Sequence, residues 1–496
     1  MIPHWLDKQA FLKPEDIAVQ TADGQSLTFQ ELNEKSRMYA SYFAEHGIKK
    51  GSHVGVLSSN CVDMIITIHA LSYIGTVIVL LNTRLTPSEI SFQLKDSEAT
   101  YLITNTALKD KGRNSMEGTG IPPYHLLTYD EIQPFEKTID VVTELELDQL
   151  FTILYTSGTT GKPKGVQLTY GNHWHSAVSS ALNLGLSPND KWLVCLPMFH
   201  VSGFSSVIKS ALYGMPIYLV EDFDERAVNH AIKHQGVTMI SVVSLMMERM
   251  LKELGGGGYP DHFRGMLLGG GPAPLHLLEQ AKEKEILVYQ TYGMTETSSQ
   301  VATLSPGVAL QKTGSAGKAL STAQLKIENH QTACVVGEVG EIKVKGPMVT
   351  KGYYKRPEAN LETFNDGWLS TGDLGYLDED GFLFVVDRRK DLIISGGENV
   401  YPAEIESVVT ELKEVVEAGV IGKPDSQWGQ VPVAFVVKEE HAHLGEEEVI
   451  SHCKRRLAKY KVPTTVHFLE EVPRNASKKI LRRKLVDLLS EMEGEE

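Results

Sequence analysis

The chain has 496 residues, of which 42% are hydrophobic and 22% charged, as expected of a globular enzyme with more than one packed domain. Its formal net charge is −15 and no basic block lies near the start, which disfavours nucleic acid as a partner. The four cysteines form no CxxC pair, so neither a zinc site nor a disulfide framework is indicated. Since no secretion signal and no uninterrupted apolar span are visible, we expect a cytoplasmic protein.

The N-terminal segments predict alternating strands and helices. Thr28 and Glu31 have the spacing of a capping box and open an amphipathic helix that ends near Gly47. The elements expected after it are strand 54–57, helix 61–73, strand 76–81, a helix opened by Thr86 and Glu89, and strand 99–104. This βαβαβ order is typical of a doubly wound α/β fold.

The segment 154–165, LYTSGTTGKPKG, follows a predicted buried strand at 151–155. Its glycines, hydroxyl groups and two lysines form a cradle suited to an oxyanion, at the strand end where open α/β sheets bind ligands. It is not a Walker A loop, because Pro163 follows Lys162 where that motif needs Ser or Thr. We therefore expect a phosphorylated ligand here, with a flexible surface turn as the alternative.

Two strand ends in the middle of the chain carry candidate pocket residues. A strand predicted at 191–197 runs into His200, just before a helix over 205–212. The glycines 269–271 follow strand 266–268 and permit close approach of the backbone to a flat ring. Without a family resemblance, His200 is interpreted as a structural histidine, with a pocket residue as the alternative.

Two later motifs place carboxylates where a nucleotide could bind. After a strand predicted at 286–291, Thr295 and Glu296 offer a hydroxyl and a carboxylate, which can bind a phosphate oxygen and, through Mg²⁺, further phosphates. Asp373 stands between two glycines in WLSTGDLG, residues 368–375, and an acceptor-only side chain in a tight turn suits the two hydroxyls of a ribose. The alternatives are a common helix start and an Asx turn.

A run of charged residues at 387–391 separates a strand predicted at 382–386 from a glycine-rich segment. The elements expected beyond it are strand 392–394, a helix opened by Tyr401 and Pro402, strands 415–421 and 432–438, and helices 446–458 and 480–490. They predict a compact α+β unit. We therefore divide the chain into an N-terminal domain, 1–387, a hinge, 388–391, and a C-terminal domain, 392–496.

Residues 156–165, TSGTTGKPKG, resemble the phosphate-binding signature of the adenylate-forming superfamily, which includes acyl-CoA synthetases, peptide-synthetase adenylation domains and beetle luciferases. The other motifs follow in that family's order and cover about residues 20 to 485. The resemblance implies a large N-terminal α/β domain of doubly wound sheets, which binds ATP and a carboxylic acid, and a small mobile α+β C-terminal lid.

The resemblance also implies roles for individual residues. Lys479 would be the mobile catalytic lysine, Thr295 would contact the α-phosphate of ATP, and Glu296 would hold Mg²⁺. Lys390 falls at the hinge position of the family. The residues that would contact ATP or coenzyme A are Thr156, Ser157, Gly158, Thr159, Thr160, Lys164, Gly269, Gly270, Gly271, Pro272, Tyr292, Gly293, Met294, Asp373, Arg388, Gly396 and Gly397.

The implied reaction has two halves: ATP·Mg²⁺ adenylates a carboxylic acid with release of pyrophosphate, and coenzyme A then displaces AMP. Segments 196–210 and 267–274 closely resemble the o-succinylbenzoate–CoA ligases of menaquinone synthesis. The second carboxylate of that acid needs a donor or a cation, because burying it unpaired is costly. The candidate pocket residues are His200, which is also a candidate catalytic group, Lys209 and Gly270.

Other functions stay open on the sequence. A generic aryl or fatty acyl-CoA ligase shares every nucleotide motif, and an adenylation domain that loads a carrier protein is a further alternative. A luciferase-like oxygenase and a non-catalytic AMP-binding regulator are different classes, and the presence of Lys479 argues against the regulator. The expected ligands are ATP, Mg²⁺, coenzyme A and the acid, without nucleic acid or a membrane span, and homo-oligomerisation stays open.

Overall fold

The structure, a computed structural model, describes residues 1–134, 139–156, 163–270, 275–329, 332–387, 392–439, 442–473 and 480–494. The chain divides into two compact units. The first consists of Met1–Thr83, Leu94–Leu154 and Gly165–Asp387, and the second of Arg84–Gln93, Tyr155–Lys164 and Arg388–Glu496. Two short internal segments therefore group with the C-terminal part of the chain. The division into domains 1–387 and 392–496 with a hinge between them stays a prediction.

Two sheets account for most of the first unit. The first sheet has, in spatial order, strands Lys164–Thr169, Leu150–Thr156, Val77–Leu80, His53–Leu57, Tyr101–Thr104 and Leu126–Thr128. The pairings from Leu150–Thr156 onward are parallel. The helices that alternate with these strands along the chain are Phe29–Glu45, Val62–Ile74, Pro87–Asp96 and Lys109–Met116. The predicted doubly wound order is confirmed.

The second sheet is mixed. Its parallel part consists of Val288–Met294, Gly265–Leu268, Met239–Val242, Trp192–Val194, Ile217–Leu219 and Ile17–Thr21, with Ser26–Thr28 antiparallel at the edge. Its antiparallel part continues through Ser299–Leu304, Ser315–Ala319, Leu383–Asp387, Trp368–Leu377, Gly340–Lys345, Gln324–Asn329 and Thr332–Ala333, and Phe364–Asn365 pairs with Trp368–Leu377. The helices are Tyr170–Leu184, Val201–Tyr213, Glu225–His234, Ser244–Leu254, Leu275–Glu283 and Pro357–Thr363. At the N-terminus, strand Ile2–Pro3 pairs antiparallel with Glu144–Leu145 and is followed by helix Trp5–Leu12.

Local sequence sets several helix ends, and one apolar core joins the two sheets. Glu31 N–H donates to Thr28 Oγ1 at 3.1 Å and Thr28 N–H donates to Glu31 Oε2 at 2.8 Å, so the predicted capping box is confirmed. The main core contains side chains from both sheets, among them Val56 and Ile217. Among the described residues, no helix is both long enough and apolar enough to cross a membrane.

The C-terminal residues of the second unit form the predicted α+β arrangement. The strands lie in the order Glu398–Val400, Ile393–Ser395, Gly429–Lys438 and Val415–Asp425, and Thr465–Phe468 pairs in parallel with Gly429–Lys438. The helices are Pro402–Val409, Glu446–Arg456 and Arg482–Gly494. Buried Ile421, Phe435 and Leu485 belong to one apolar cluster that joins this sheet to the last helix.

The elements around His200 differ from those predicted. The strand expected at 191–197 is only Trp192–Val194, and Pro197 lacks the N–H that a longer ladder needs. The helix expected from 205 begins at Val201, which makes His200 its N-cap residue. Gly203 permits this early start, because a Cβ at that position would lie 2.3 Å from the carbonyl oxygen of Pro197.

Two motif residues lie inside strands rather than beyond them. The strand expected at 286–291 is Val288–Met294, because antiparallel pairing with Ser299–Leu304 extends it, so Tyr292 belongs to the strand. Asp373 lies within strand Trp368–Leu377 and not in a tight turn. The register of this strand shifts against Gly340–Lys345 near Asp373. Such an irregularity accommodates the left-handed φ of 75° at Gly372.

Candidate active site

The Glu296 carboxylate lies at the end of strand Val288–Met294, on a short 3₁₀ turn over Thr295–Thr297. Met294 N–H donates to Thr297 Oγ1 at 3.0 Å and fixes the start of this turn. Glu296 is half-buried, and its Oε1 accepts a hydrogen bond of 2.9 Å from the Tyr353 hydroxyl. The turn therefore carries an oriented carboxylate that follows Thr295 in sequence, and a hydroxyl and a carboxylate are the donor and acceptor set expected for phosphate and Mg²⁺.

The segment that carries Tyr353 is held by several further hydrogen bonds. Asn360 accepts from Tyr353 N–H at 2.7 Å and donates to Tyr353 O at 3.0 Å. Thr350 N–H donates to Glu296 O at 2.8 Å, and Tyr354 N–H donates to Gly165 O at 2.8 Å. Strand Lys164–Thr169, which begins in the last two residues of the predicted phosphate loop, and the turn that carries Glu296 are thus tied to the same segment, residues 350–354.

A second carboxylate, Asp373, is also positioned by a tyrosine. Tyr292 and Asp373 are both buried, and the Tyr292 hydroxyl donates to Asp373 Oδ2 at 2.8 Å. Asp373 N–H donates to Thr371 Oγ1 at 3.1 Å. Burial and these two bonds orient the carboxylate, and a buried oriented acceptor is what a sugar diol requires.

Glycines at two strand ends lie where a side chain would meet close neighbours. Gly270 has a left-handed φ of 84°, and a Cβ there would lie 3.1 Å from Val243 Cγ1. At Gly293 a Cβ would lie 1.8 Å from the carbonyl oxygen of Ser299, which excludes any side chain between these paired strands. Gly269 N–H donates to Val242 O at 3.1 Å, where the parallel pairing of strands Met239–Val242 and Gly265–Leu268 ends.

His200 and Lys209 lie at the start and in the middle of helix Val201–Tyr213. The loop before the helix is held by buried Asn60, which donates to Leu196 O at 3.0 Å and accepts from Met198 N–H at 2.8 Å. Lys209 is 2% exposed. Its Nζ lies 5.1 Å from the centre of the Trp192 ring, and burial lowers the pKa of Lys209 to about 8.

In the second unit, Gly396 and Gly397 form the turn between strands Ile393–Ser395 and Glu398–Val400. Their φ values are 58° and 83°, and a Cβ at Gly396 would lie 2.7 Å from the Trp428 ring. Glycine is therefore required here for packing and backbone conformation. Glu398 is buried and lies 3.2 Å from Arg84 Nη1.

The structure brings several of the predicted residues together and leaves others outside its described ranges. Tyr292 with Asp373, and Thr295 with Glu296, are neighbours in the first unit. Thr156, Lys164, Gly396 and Gly397 belong to the second unit. The predicted residues outside the described ranges are Ser157, Gly158, Thr159, Thr160, Gly271, Pro272, Arg388, Lys390 and Lys479.

Three positioning residues, Tyr353, Asn360 and Asn60, were not predicted from the sequence. Tyr353 acts on a residue 57 positions away and Asn60 on residues 136 and 138 positions away. The pair of tyrosines in KGYY, shortly before an asparagine, is a weak signal for the first two. No local pattern marks Asn60.

Comparison with known proteins places the chain in a family. Two protein-family models match the chain. The family model for the AMP-binding enzyme matches residues 6–354, and the family model for the AMP-binding enzyme C-terminal domain matches residues 404–479. The chain belongs to the AMP-binding enzyme family. The adenylate-forming resemblance that the motifs indicate is confirmed, and so is the α/β fold with a large N-terminal and a small C-terminal part.

Members of this family with high similarity span the whole chain. A 2-succinylbenzoate–CoA ligase of Oceanobacillus iheyensis is 51% identical over 97% of this chain and 98% of its own length. A double mutant of o-succinylbenzoate CoA synthetase from Bacillus subtilis, bound with the product analogue OSB-NCoA, has a TM-score of 0.92 at 47% identity over 98% of both chains. The same synthetase in complex with the acyl-adenylate intermediate OSB-AMP has a TM-score of 0.76 at 47% identity, over 97% of this chain and 98% of its own. The structure of the same synthetase in complex with ATP and magnesium ion also has a TM-score of 0.76 at 47% identity, over 98% of this chain and 99% of its own.

Proposed function

We propose that this protein is a 2-succinylbenzoate–CoA ligase that forms o-succinylbenzoyl-CoA for menaquinone synthesis. It is an AMP-forming ligase that works through an acyl-adenylate. ATP and coenzyme A are its co-substrates and Mg²⁺ is its cofactor. The observation that carries the choice of acid is the buried ammonium group of Lys209 on the helix that follows His200. A dicarboxylic acid brings one carboxylate to be activated and a second one for such a cation to neutralise.

The first half-reaction joins two anions, the acid carboxylate and the α-phosphate of ATP. The carboxylate oxygen attacks the α-phosphorus, the bond to pyrophosphate breaks, and no proton needs to move at the reacting centre. Catalysis therefore consists of positioning and of charge neutralisation. We assign Lys479 to the carboxylate and α-phosphate, Thr295 to the α-phosphate, and segment 156–165 to the leaving pyrophosphate.

Glu296 fits the role of a magnesium-binding residue. Mg²⁺ is usually held by one or two carboxylates together with substrate phosphates and water, and Glu296 is a half-buried carboxylate residue that follows Thr295 on the same turn. When bound, Mg²⁺ would neutralise charge on the phosphates. Asp373, oriented by Tyr292 at 2.8 Å, would accept hydrogen bonds from the ribose hydroxyls.

In the second half-reaction the thiol of coenzyme A loses its proton to water and its sulfur attacks the acyl carbon. The thioester bond forms, the bond from the acyl carbon to the phosphate oxygen of AMP breaks, and AMP leaves with the bonding electrons. Arg388, Gly396 and Gly397 are assigned to the nucleotide and to the pantetheine arm, and Lys390 to the hinge, as the family resemblance implies. We also propose a cytoplasmic location, since the four dispersed cysteines are all free thiols and suit a reducing compartment.

The proposed acid can be tested with a substrate panel. Thioester formation would be measured with o-succinylbenzoate, benzoate, a 4-halobenzoate and octanoate at equal concentrations, with pyrophosphate release as a second readout. We expect a kcat/KM for the diacid at least about 100-fold above the others, because a site built to pair a buried charge rejects acids that lack it. Comparable activity on benzoate or octanoate would overturn the assignment of the acid and leave the adenylate-forming reaction in place.

A further inference from the structure

We propose that Tyr353 is a positioning residue for the adenylation step, which holds the Glu296 carboxylate in the orientation that Mg²⁺·ATP requires. The inference rests on the proposed function, because it takes Glu296 as the magnesium-binding residue. Its basis is the 2.9 Å hydrogen bond from the Tyr353 hydroxyl to Glu296 Oε1. A hydroxyl fixed on one oxygen sets the plane of a carboxylate, and with it the direction of the other oxygen.

The hydroxyl of Tyr353 is itself anchored. Tyr353 is 6% exposed, its ring packs 5.8 Å from that of Phe364, and Asn360 bonds both its N–H and its carbonyl oxygen at 2.7 and 3.0 Å. A Cβ at Gly352 would lie 2.8 Å from Asn360 Oδ1, so the close fit of Asn360 depends on a glycine. The donor therefore has little freedom to follow a displaced carboxylate.

The backbone around Glu296 and strand Lys164–Thr169, which begins at the end of the predicted phosphate loop, are joined to the same segment. Thr350 N–H donates to Glu296 O at 2.8 Å, and Thr350 Oγ1 donates to Gln167 O. Gln167 N–H donates to Gly352 O at 3.1 Å. Segment 350–354 therefore connects the carboxylate side chain, its backbone and strand Lys164–Thr169, which suits a device that keeps metal and phosphate groups in register.

A phenylalanine variant separates positioning from packing. Tyr353→Phe removes the hydroxyl and retains the ring that packs against Phe364. Tyr354→Phe is the matched control, because the Tyr354 hydroxyl donates at 2.6 Å to the exposed Glu98 and not to the site. Glu296→Gln tests the assumed role of the carboxylate itself. Melting temperatures of all variants would establish that they fold.

The decisive measurement is binding of α,β-methylene-ATP by calorimetry over a series of Mg²⁺ concentrations. For Tyr353→Phe we expect the Mg²⁺ concentration that gives half of the maximal effect on nucleotide binding to rise about 10-fold. This is the low end for loss of a residue that orients a metal ligand. The affinity for α,β-methylene-ATP in the absence of Mg²⁺ should not change. Pyrophosphate release should fall at low Mg²⁺ and recover at high Mg²⁺. Tyr354→Phe should follow the wild type, and Glu296→Gln should lose the Mg²⁺ response.

The outcomes distinguish the inference from the proposed function. An unchanged Mg²⁺ response in Tyr353→Phe, together with its loss in Glu296→Gln, would overturn the role of Tyr353 and leave that of Glu296 intact. A normal Mg²⁺ response in Glu296→Gln would overturn both roles. The binding measurement needs no acid, so it is independent of the substrate panel that tests the proposed function.

If Tyr353→Phe does not fold, Asn360→Ala keeps the hydroxyl and releases its anchor, and it should shift the Mg²⁺ response in the same direction by a smaller factor; no shift would overturn the inference.

Discussion

Two buried lysines, one in each unit, differ in what surrounds their charge. Lys209 and Lys461 are 2% and 3% exposed. Lys461 Nζ lies 2.7 Å from Glu404 Oε1 and 2.8 Å from Glu89 Oε1. No ion pair formed among the described residues includes Lys209, whose Nζ instead lies 5.1 Å from the Trp192 ring centre.

The pKa values follow from these surroundings. Burial alone acts on Lys209 and lowers its pKa to about 8. Burial also acts to lower the pKa of Lys461, but the charges of Glu404 and Glu89 outweigh it, and the pKa of Lys461 is raised above its ordinary value. The same side chain is thus held firmly as a cation in one place and made easier to deprotonate in the other.

The difference separates a structural charge from one that we propose as the partner of a bound ligand. Lys461 neutralises two acidic side chains within the second unit, so its removal would leave buried carboxylates unpaired. In the part of the chain that the structure describes, no acidic side chain offsets the cost of burying Lys209, and a bound anion would supply that partner. A buried cation of this kind beside a predicted acid pocket is a functional-site candidate.

The largest effect is expected for stability, from Lys461→Met. The variant leaves Glu404 and Glu89 without their shared cation, and breaking a buried pair from one side costs about 3–5 kcal/mol of unfolding free energy. Urea unfolding at neutral pH measures this change. Lys459→Met, an exposed lysine of the same 3₁₀ turn, is the control and should change stability by less than about 0.5 kcal/mol. An equal effect of the two variants would show that the Lys461 pairs are not structural.

A smaller effect, on substrate affinity and not on stability, is expected for Lys209→Met. Removal of the cation should raise KM for o-succinylbenzoate about 30-fold, equivalent to about 2 kcal/mol for a hydrogen bond to a charged group, with no loss of unfolding free energy. KM for benzoate, which lacks the second carboxylate, should stay within about 2-fold. A loss of stability like that of Lys461→Met, with KM for the diacid unchanged, would contradict the contrast between the two lysines.

The lowered pKa of Lys209 predicts a pH dependence of stability. Between about pH 8 and pH 10.5 the unfolded chain binds the Lys209 proton and the folded chain does not, so the contribution of this group to the unfolding free energy rises with pH. The difference in unfolding free energy between wild type and Lys209→Met should therefore shift in favour of wild type across this window. Urea unfolding at about pH 7.5 and pH 10 tests it; a constant difference would mean that Lys209 titrates alike in both states.

Local patterns were sufficient for several features of the fold. The capping box of Thr28 and Glu31 involves residues three apart, and the turn after Ile74 needs only the left-handed φ of Gly75. Such interactions can be predicted from a short segment. The family resemblance added the candidate nucleotide-binding residues, because Thr295, Glu296 and Asp373 lie in motifs that keep their spacing.

Features set by distant contacts could not be predicted in the same way. The pair between Lys461 and Glu89 joins residues 372 positions apart, and nothing around either residue distinguishes them from surface charges. Asp373 was expected in a turn because glycines flank it, but pairing with strand Gly340–Lys345 places it in a strand. The burial of Lys209 likewise depends on the elements that pack around its helix.

The smallest effect is expected from Asn60→Ala, which tests whether the start of the Lys209 helix must be fixed. The substitution removes the bonds to Leu196 O and Met198 N–H, at 3.0 and 2.8 Å, and should cost about 1 kcal/mol of unfolding free energy. Because the loop that carries His200 is then less constrained, KM for the diacid should rise about 3-fold to 5-fold, equivalent to about 1 kcal/mol, with KM for ATP unchanged.

Asn105→Ala is the control, since Asn105 bonds Ser59 at 2.7 Å and not the loop. A rise in KM for ATP equal to that for the acid would indicate a general disturbance of the unit, whereas a selective rise for the acid would support a role of the Asn60 contacts in the proposed pocket around Lys209.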